Sequence, residues 1–376
     1  MSDEADRDEG ERVTHSDKKR QFPCENCGAG MAFDPKATAL TCPYCDHVNE
    51  LPQSEDDIEE LDFHAFLEVA AENEELQETA VVKCPACGAE STFDPNITSD
   101  ECAFCGTAIV TTKSTKKSLK PRSLLPFKVT RKEAGSRWTK WLSSLWFAPN
   151  ALKKKASAES SLKGVYVPYW TYDSDATSAY SGERGDNYWV TETYTTTENN
   201  QTVTKTRQVQ KIRWSYVSGR VWNTFDDVLV LASRSLPRKI TEKLEPWDTK
   251  NLVPYADEYL SGFRAESYQI ELGNGFELAK EIMDREIHDT VERDIGGDHQ
   301  RVHSVKSRFS NITFKHILLP IWISAYRYEE KVYRFVVNAR TGEVQGERPW
   351  SWVKITLAVL GGLAVLGAIA FAVSQS

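Results

Sequence analysis

Residues 24–45 read Cys-Glu-Asn-Cys-Gly-Ala-Gly-Met-Ala-Phe-Asp-Pro-Lys-Ala-Thr-Ala-Leu-Thr-Cys-Pro-Tyr-Cys, two C-x-x-C pairs with fourteen residues between them. The framework returns at residues 84–105, where Cys87-Gly88-Ala89 and Phe93-Asp94-Pro95 repeat Cys27-Gly28-Ala29 and Phe33-Asp34-Pro35 at a period of 60 residues. All eight cysteines of the chain are used: Cys24, Cys27, Cys42, Cys45, Cys84, Cys87, Cys102 and Cys105. This is the spacing of a four-thiolate zinc site. A module of about 22 residues buries too little apolar surface to fold unaided, whereas a bound zinc supplies on the order of 10 kcal/mol in comparable peptides. Four protein ligands close the tetrahedron and leave no open position for water or substrate, so both ions are expected to be structural. The competing readings are four disulfides or redox-active pairs. Met1 to Gly10 is acidic and lacks the apolar core of a secretory signal, which favours a reducing compartment and hence two Zn2+ ions. Gly28, Gly88 and Gly106 each follow the second cysteine of a pair, where a positive φ is needed for the tight turn around a metal.

Outward from the cysteines, the net charge of −9 over 376 residues conceals blocks of opposite sign. Residues 1–80 hold 22 acids against 6 bases, residues 111–163 hold 2 against 14, and the stretch from Gly164 onward holds 27 against 25. Such blocks predict separate modules. The acidic runs Glu55–Asp62 and Glu72–Glu78 enclose Ile58, Leu61, Phe66, Leu67 and Val69, which share one stripe if residues 51–80 form a helical linker. Beyond the second cysteine module comes a Ser/Thr/Lys-rich linker with Lys113, Lys116, Lys117, Lys120 and Arg122. Thr130-Arg131-Lys132-Glu133 is a capping box. It opens a helix whose one face carries Trp138, Trp141, Leu142, Leu145 and Trp146, ending near Pro149, before Lys153, Lys154 and Lys155. That Trp face suits either the core of the next domain or a membrane interface, where basic neighbours add attraction to anionic lipid.

From Gly164 the pattern turns to strand. Val165, Val167, Tyr169 and Trp170 begin an aromatic strand whose Pro168 argues for a sheet edge or a bulge. Tyr188–Thr197 and Thr202–Trp214 alternate around Glu198-Asn199-Asn200-Gln201, a hairpin signature. Phe276, Ala279, Ile282, Met283, Ile287 and Val291 predict a helix closed by Gly296-Gly297. Ile317–Tyr326 and Val332–Val337 are strands, the second turning at Asn338–Gly342 into Val344. The sum is an α+β domain with an antiparallel sheet. No P-loop, G-x-S-x-G or H-E-x-x-H motif occurs. His299 and His303 lie in a strand-like segment, and Asp173, Asp175, Asp226 and Asp227 have no recognisable partner set, so no catalytic site is expected. Both cysteine modules are acidic, the second having Glu90, Asp94, Asp100 and Glu101 and no base between Cys84 and Cys105. Phosphate binding needs clustered Lys and Arg, which leaves the 113–163 block as the nucleic-acid candidate.

Ile355 to Val373 are nineteen uncharged residues, about 28 Å of helix and close to the hydrocarbon thickness of a bilayer. Trp350 and Trp352 precede them as an aromatic belt, and Arg348 and Lys354 place that side in the cytosol. We expect a tail-anchored protein facing the cytoplasm. Gly361 and Gly367 are six residues apart, so the G-x-x-x-G pairing motif is absent.

The paired cysteine modules, Gly164-Val165-Tyr166-Val167-Pro168-Tyr169-Trp170, Leu319-Pro320-Ile321-Trp322, the turn Val337–Val344 and the terminal span together resemble bacterial membrane-anchored zinc-ribbon proteins over nearly the whole chain. Members of that group are labelled transcription factor B type zinc ribbons or primosomal protein N' (replication factor Y). The resemblance implies a bacterial inner-membrane location and, through similar proteins tied to phage-shock-protein-A-type stress systems, an adaptor role. The expected organisation is a disordered acidic N-terminus (1–20), ribbon 1 (21–50), acidic helical linker (51–80), ribbon 2 (81–111), basic linker with the Trp-rich amphipathic helix (112–163), α+β domain (164–349) and transmembrane helix (353–373). The expected function is a non-catalytic scaffold that binds protein partners at the lipid bilayer. The alternative is a membrane-associated nucleic-acid-binding protein without helicase activity.

Overall fold

The computed structural model describes residues 22–51, 58–69, 76–92, 99–110, 113–147, 162–198, 201–328, 331–347 and 350–374. In chain order the first cysteine module supplies β1 (Ala32–Asp34), β2 (Ala39–Thr41) and β3 (Val48–Asn49), an antiparallel sheet of their own. Next come β4 (Leu61–Asp62), α1 (Phe63–Val69), β5 (Leu76–Lys83), β6 (Glu90–Ser91), β7 (Ser99–Glu101), β8 (Ala108–Val110) and β9 (Lys113–Leu119). The second module is built on β5, flanked by β6 and β9, with β7 and β8 as a separate pair. Then follow β10 (Ser123–Leu124), α2 (Arg131–Ser144), β11 (Lys163–Glu198), β12 (Gln201–Leu231), β13 (Val253–Pro254), β14 (Arg264–Ala265), α3 (Leu272–Ile295), β15 (His299–Tyr328), β16 (Lys331–Asn338), β17 (Val344–Gly346) and α4 (Trp352–Ser374).

Three long strands dominate the main sheet, which runs β12-β11-β15 with β10, β13, β14, β16, β17 and β4 attached around the far end. The hairpin read from the sequence is present, with β11 and β12 in register down to Glu198↔Gln201. It is much longer than the alternating segments alone suggest. β11 sits between β12 and β15 and is therefore not an edge strand, which corrects the expectation for Pro168. That proline has no N–H to give, and it sits where β11 exchanges one neighbour for another: β14 pairs at Val165 and Tyr166, and β12 takes over at Tyr169. Pro320 does the same on β15, between β10, which ends at Leu318, and β16, which begins at Ile321. Each proline carbonyl still accepts a bond, from Ala232 at 2.9 Å and Ala339 at 3.0 Å. A missing donor costs least at such a handover.

α3 lies along one face of this sheet with Phe276, Ala279, Met283, Ile287 and Val291 buried, a spacing of three or four that keeps them on one stripe. It approaches closely because Gly275 has no side chain; a Cβ there would sit 2.3 Å from the Tyr172 hydroxyl. That hydroxyl instead donates to the Leu272 carbonyl at 2.7 Å, and Trp170 Nε1 to that of Ile270 at 2.8 Å. Gly296 ends the helix at φ 65°.

The Thr130–Glu133 capping box of α2 forms as read. Its Trp face divides. Trp138, Leu142 and Leu145 are buried, the Trp138 ring stacking on Phe335 at 3.5 Å, while Trp146 is 76% exposed.

Several expected boundaries shift. Among its described residues, segment 51–80 is helical over Phe63–Val69 and becomes strand at Leu76. Its anchor is Phe63, buried against Phe276 and Tyr172, and β4 joins the main sheet by pairing with Thr313 and Phe314. The basic linker likewise contains β9, paired antiparallel to β5 with Glu78 opposite Lys117 and Val82 opposite Lys113. The end of the acidic block and the start of the basic block thus pair as neighbouring strands, with Val81 and Val82 buried. With β4, β10 and α2 built into it, the α+β body begins well before residue 164. The acids at 55–57 and 72–75, Phe93-Asp94-Pro95, Lys153–Lys155 and Arg348 lie outside the described residues.

Candidate metal centres

Every cysteine pair adopts one local fold. Gly28 N–H donates to the Cys24 carbonyl at 2.8 Å and Cys24 N–H to the Ala29 carbonyl at 2.7 Å; Asp46 and His47 do the same around Cys42, Gly88 and Ala89 around Cys84, and Gly106 and Thr107 around Cys102. Closing this loop requires a left-handed residue after the second cysteine. φ is 72° at Gly28, 76° at Gly88 and 70° at Gly106, and the remaining knuckle uses Asp46 at 56°. Aspartate tolerates that region better than most residues because its short polar side chain bonds locally. The sequence reading singled out the three glycines and passed over Asp46, whose only signal is its place directly after Cys45.

These loops aim the sulfurs inward. Cys24 and Cys45 Sγ are 3.6 Å apart, Cys27 is 3.5 Å from both Cys42 and Cys45, and Cys84–Cys105 and Cys87–Cys102 are each 3.6 Å. A disulfide requires about 2.05 Å, and all eight cysteines are free. A tetrahedron with metal–sulfur bonds of about 2.3 Å has edges of about 3.8 Å, close to these values. Hydrogen bonding from the His47 backbone draws the Cys45 thiol down to about 6. The bond to Cys102 draws Cys87 down to about 5 and pushes Cys102 up in compensation. Each group therefore contains a sulfur inclined to the thiolate form a metal ligand needs. The structure brings together all eight predicted ligands as two four-cysteine groups, each able to hold one metal ion.

Neither module stands apart from the body. Phe33 N–H donates to the Ser261 carbonyl at 3.1 Å, Ser261 Oγ to that of Met31 at 2.7 Å, and the Phe33 ring lies 5.3 Å from Tyr259. The second module takes the adjoining stretch: Thr92 N–H bonds the Ala265 carbonyl at 2.9 Å, Ser267 N–H that of Glu90 at 3.0 Å, and Arg264 pairs with Asp100. Phe104, wholly buried, has its carbonyl capped by Arg334 Nε at 2.7 Å. Residues 259–269 are a shared bracket for both.

Other candidates look structural. Asp173, Asp226 and Asp227 have carboxylate oxygens within 4.8 Å of one another, but the Lys315 ammonium already lies 2.8 Å from Asp227 and 3.0 Å from Glu60. Hydrogen bonding with Asp173, then with Lys315, holds Glu60 down at about 2, while burial pushes Asp173 up to about 6. His299 contacts Asn187 at 3.1 Å and His303 faces Glu183 at 3.7 Å; both sit on β15. A cleft of about 640 Å³ opens between the first module, the start of α2 and β11. Its Lys163 and Arg264 are spent on Asp100. Of the basic block, Lys113–Leu119 is committed to β9.

α4 is of another kind. Its window Trp352–Ile369 has a mean hydropathy of 2.0 with none of it buried, long and apolar enough to cross a membrane. Its start is bolted to the end of α2: Ser351 N–H donates to the Phe147 carbonyl at 2.8 Å and Lys354 Nζ to that of Trp146 at 3.2 Å.

The chain is similar to the uncharacterized protein YdjG of Bacillus subtilis (strain 168), 28% identical over 358 residues that cover 91% of this chain and 94% of that relative. No family model and no solved structure matches the chain.

Proposed function

We propose that the protein is a tail-anchored, cytosol-facing scaffold in a bacterial inner membrane, stapled by two structural zinc ions and lacking a catalytic role. The observation that carries this reading is the pairing of two closed four-sulfur groups, both braced by residues 259–269, with one apolar helix whose window Trp352–Ile369 has no buried residue. Closed thiolate sites fix shape and leave no coordination position for chemistry. The resemblance to zinc-ribbon proteins linked to phage-shock-protein-A-type systems supports a protein partner in a membrane-stress response. On the first ribbon, Tyr44 is 81% exposed and Val48 48%, which makes that knuckle the contact surface of choice.

Removing a whole ribbon would also remove core, so surface variants are the better test. Tyr44→Ser with Val48→Ser, in the full chain purified from solubilised membranes, is expected to keep about two zinc ions per chain and to lose its co-purifying protein partners. A zinc content near zero in the wild type would sink the ribbon assignment. Partners retained by the double variant would sink the ribbon as the docking surface.

A further inference from the structure

β12, β11 and β15 run side by side over Asp175–Gly185, and their side chains alternate between two faces. One face, with Ala176, Tyr180 and Val221, packs against α3. The opposite face is open to solvent. There the register sets Trp222, Thr177 and Arg308 in one row across the three strands and Arg220, Ala179 and Lys306 in the next. Tyr216 lies in a row further along, and rows repeat at about 6.8 Å, two residues per step. The rings of Trp222 and Tyr216 are 70% and 69% exposed. Arg220, Lys306 and Arg308 are exposed and make no ion pair among the described residues. Between the aromatic strand and the basic strand the middle strand presents Thr177, Ala179 and Ser181, a low floor about 10 Å wide, and Glu183 in the row of Tyr216, three rows on from Trp222.

The nearby acids are already engaged. Glu183 is taken by Arg301 at 3.4 Å, and Asp175 accepts from Thr224 at 3.0 Å and Asn311 at 2.8 Å. The bonds from Asn311 and Thr224 hold the Asp175 carboxyl below its usual range, so it stays anionic; with Arg220, Arg301, Lys306 and Arg308 set against Glu183 and Asp175, the face is still locally cationic on a chain that is acidic overall. Arg301 lies 3.8 Å over the Trp214 ring, which shows the planar stacking these rings accept. Singly exposed aromatics are ordinary. Two rings this open beside three unpaired cations, on one flat face, call for a ligand with both flat apolar groups and regularly spaced negative charge.

We propose that this face binds single-stranded nucleic acid, the bases stacking on Trp222 and Tyr216 and the phosphates lying against Arg220, Lys306 and Arg308. Stacking on aromatic rings of an open sheet, with basic side chains tracking the backbone, is how single strands are commonly held. An acidic peptide would satisfy the cations and leave the rings bare, and a second copy would set cation against cation. The site is independent of the scaffold reading and lies apart from the 113–163 block.

The test is fluorescence anisotropy of a labelled oligothymidylate of about 15 nucleotides with the full zinc-loaded chain in zwitterionic nanodiscs. Saturable binding that weakens with salt is expected. Combined Arg220→Gln, Lys306→Gln and Arg308→Gln should cut affinity at least about tenfold and flatten the log–log salt slope by about 2. Trp222→Ala should cost about fivefold or more, and Arg213→Gln, on the other face, should stay within about twofold. All are exposed positions, and matched thermal unfolding would show that the fold is kept. No saturable binding at low salt would overturn the proposal. So would binding indifferent to the triple variant, or polyglutamate displacing the oligonucleotide as well as unlabelled strand does while Trp222→Ala changes nothing.

Discussion

At the residue scale, the four cysteine knuckles form a natural substitution series. Gly28 and Gly88 have no atom within 4 Å of where a Cβ would stand, so the penalty for a side chain there is conformational and not steric. Gly88→Ala is expected to destabilise the protein by about 1 to 2 kcal/mol, the ordinary cost of a left-handed alanine. Asp46, which already bears that strain at φ 56°, should respond in the opposite direction, with Asp46→Gly neutral or stabilising by up to about 1 kcal/mol. Chemical denaturation of the zinc-loaded variants checks both. Equal losses at the two positions would mean that Asp46 contributes through its side chain.

At the element scale, α2 was legible because its signals are local: Thr130 and Glu133 cap it, and the Trp and Leu spacing marks one face. Sequence spacing alone could not say which tryptophan is core, since Trp138 and Trp146 lie two turns apart on the same stripe. The structure separates them through distant partners, Phe335 for Trp138 and the start of α4 for Trp146. Trp138→Ala should therefore cost about 3 to 5 kcal/mol, whereas Trp146→Ala should change stability by no more than about 0.5 kcal/mol, as thermal unfolding would measure. α3 and the β11–β12 hairpin were readable for the same local reasons. The full length of β11, the central position of Pro168 and the strand character of Lys113–Leu119 were not, because each depends on a neighbour far away in sequence. Phe63 escaped notice because its buried contacts, Tyr172 and Phe276, lie more than a hundred residues on.

At the scale of the molecule, the two four-cysteine groups were wholly visible in the sequence, but the independence of the cysteine modules was not a property of the fold. Cys24 and Cys42 belong to the same buried cluster as Trp138 and Phe335, and Cys84, Cys102 and Cys105 to that of Val165, Ile321 and Val336. Loss of metal should therefore loosen the sheet as well as the ribbons. Chelation is expected to lower the unfolding midpoint of the whole body that precedes α4 by more than about 10 °C. Protease sensitivity should then appear at residues 259–269. A body that keeps its midpoint while only the ribbons become labile would show that the two unfold separately.

β12 has consequences of a different order. It pairs only with β11 among the described residues, so that its other edge, exposed over most of Gln201–Arg220 and buried towards Val230 and Leu231, is left without a strand partner. Such a margin is a template for another chain. Under the proposed anchoring, copies held in one bilayer would meet it at high local concentration. From Gln201 to Phe225 the strand carries five bases, Lys205, Arg207, Lys211, Arg213 and Arg220, and no acid. Arg207 and Lys211 are balanced in part by Glu192 of β11, but the excess of positive charge from Lys205 to Arg220 makes two such strands repel before they can zip, a colloidal guard against fibre-like stacking that fades as ionic strength rises.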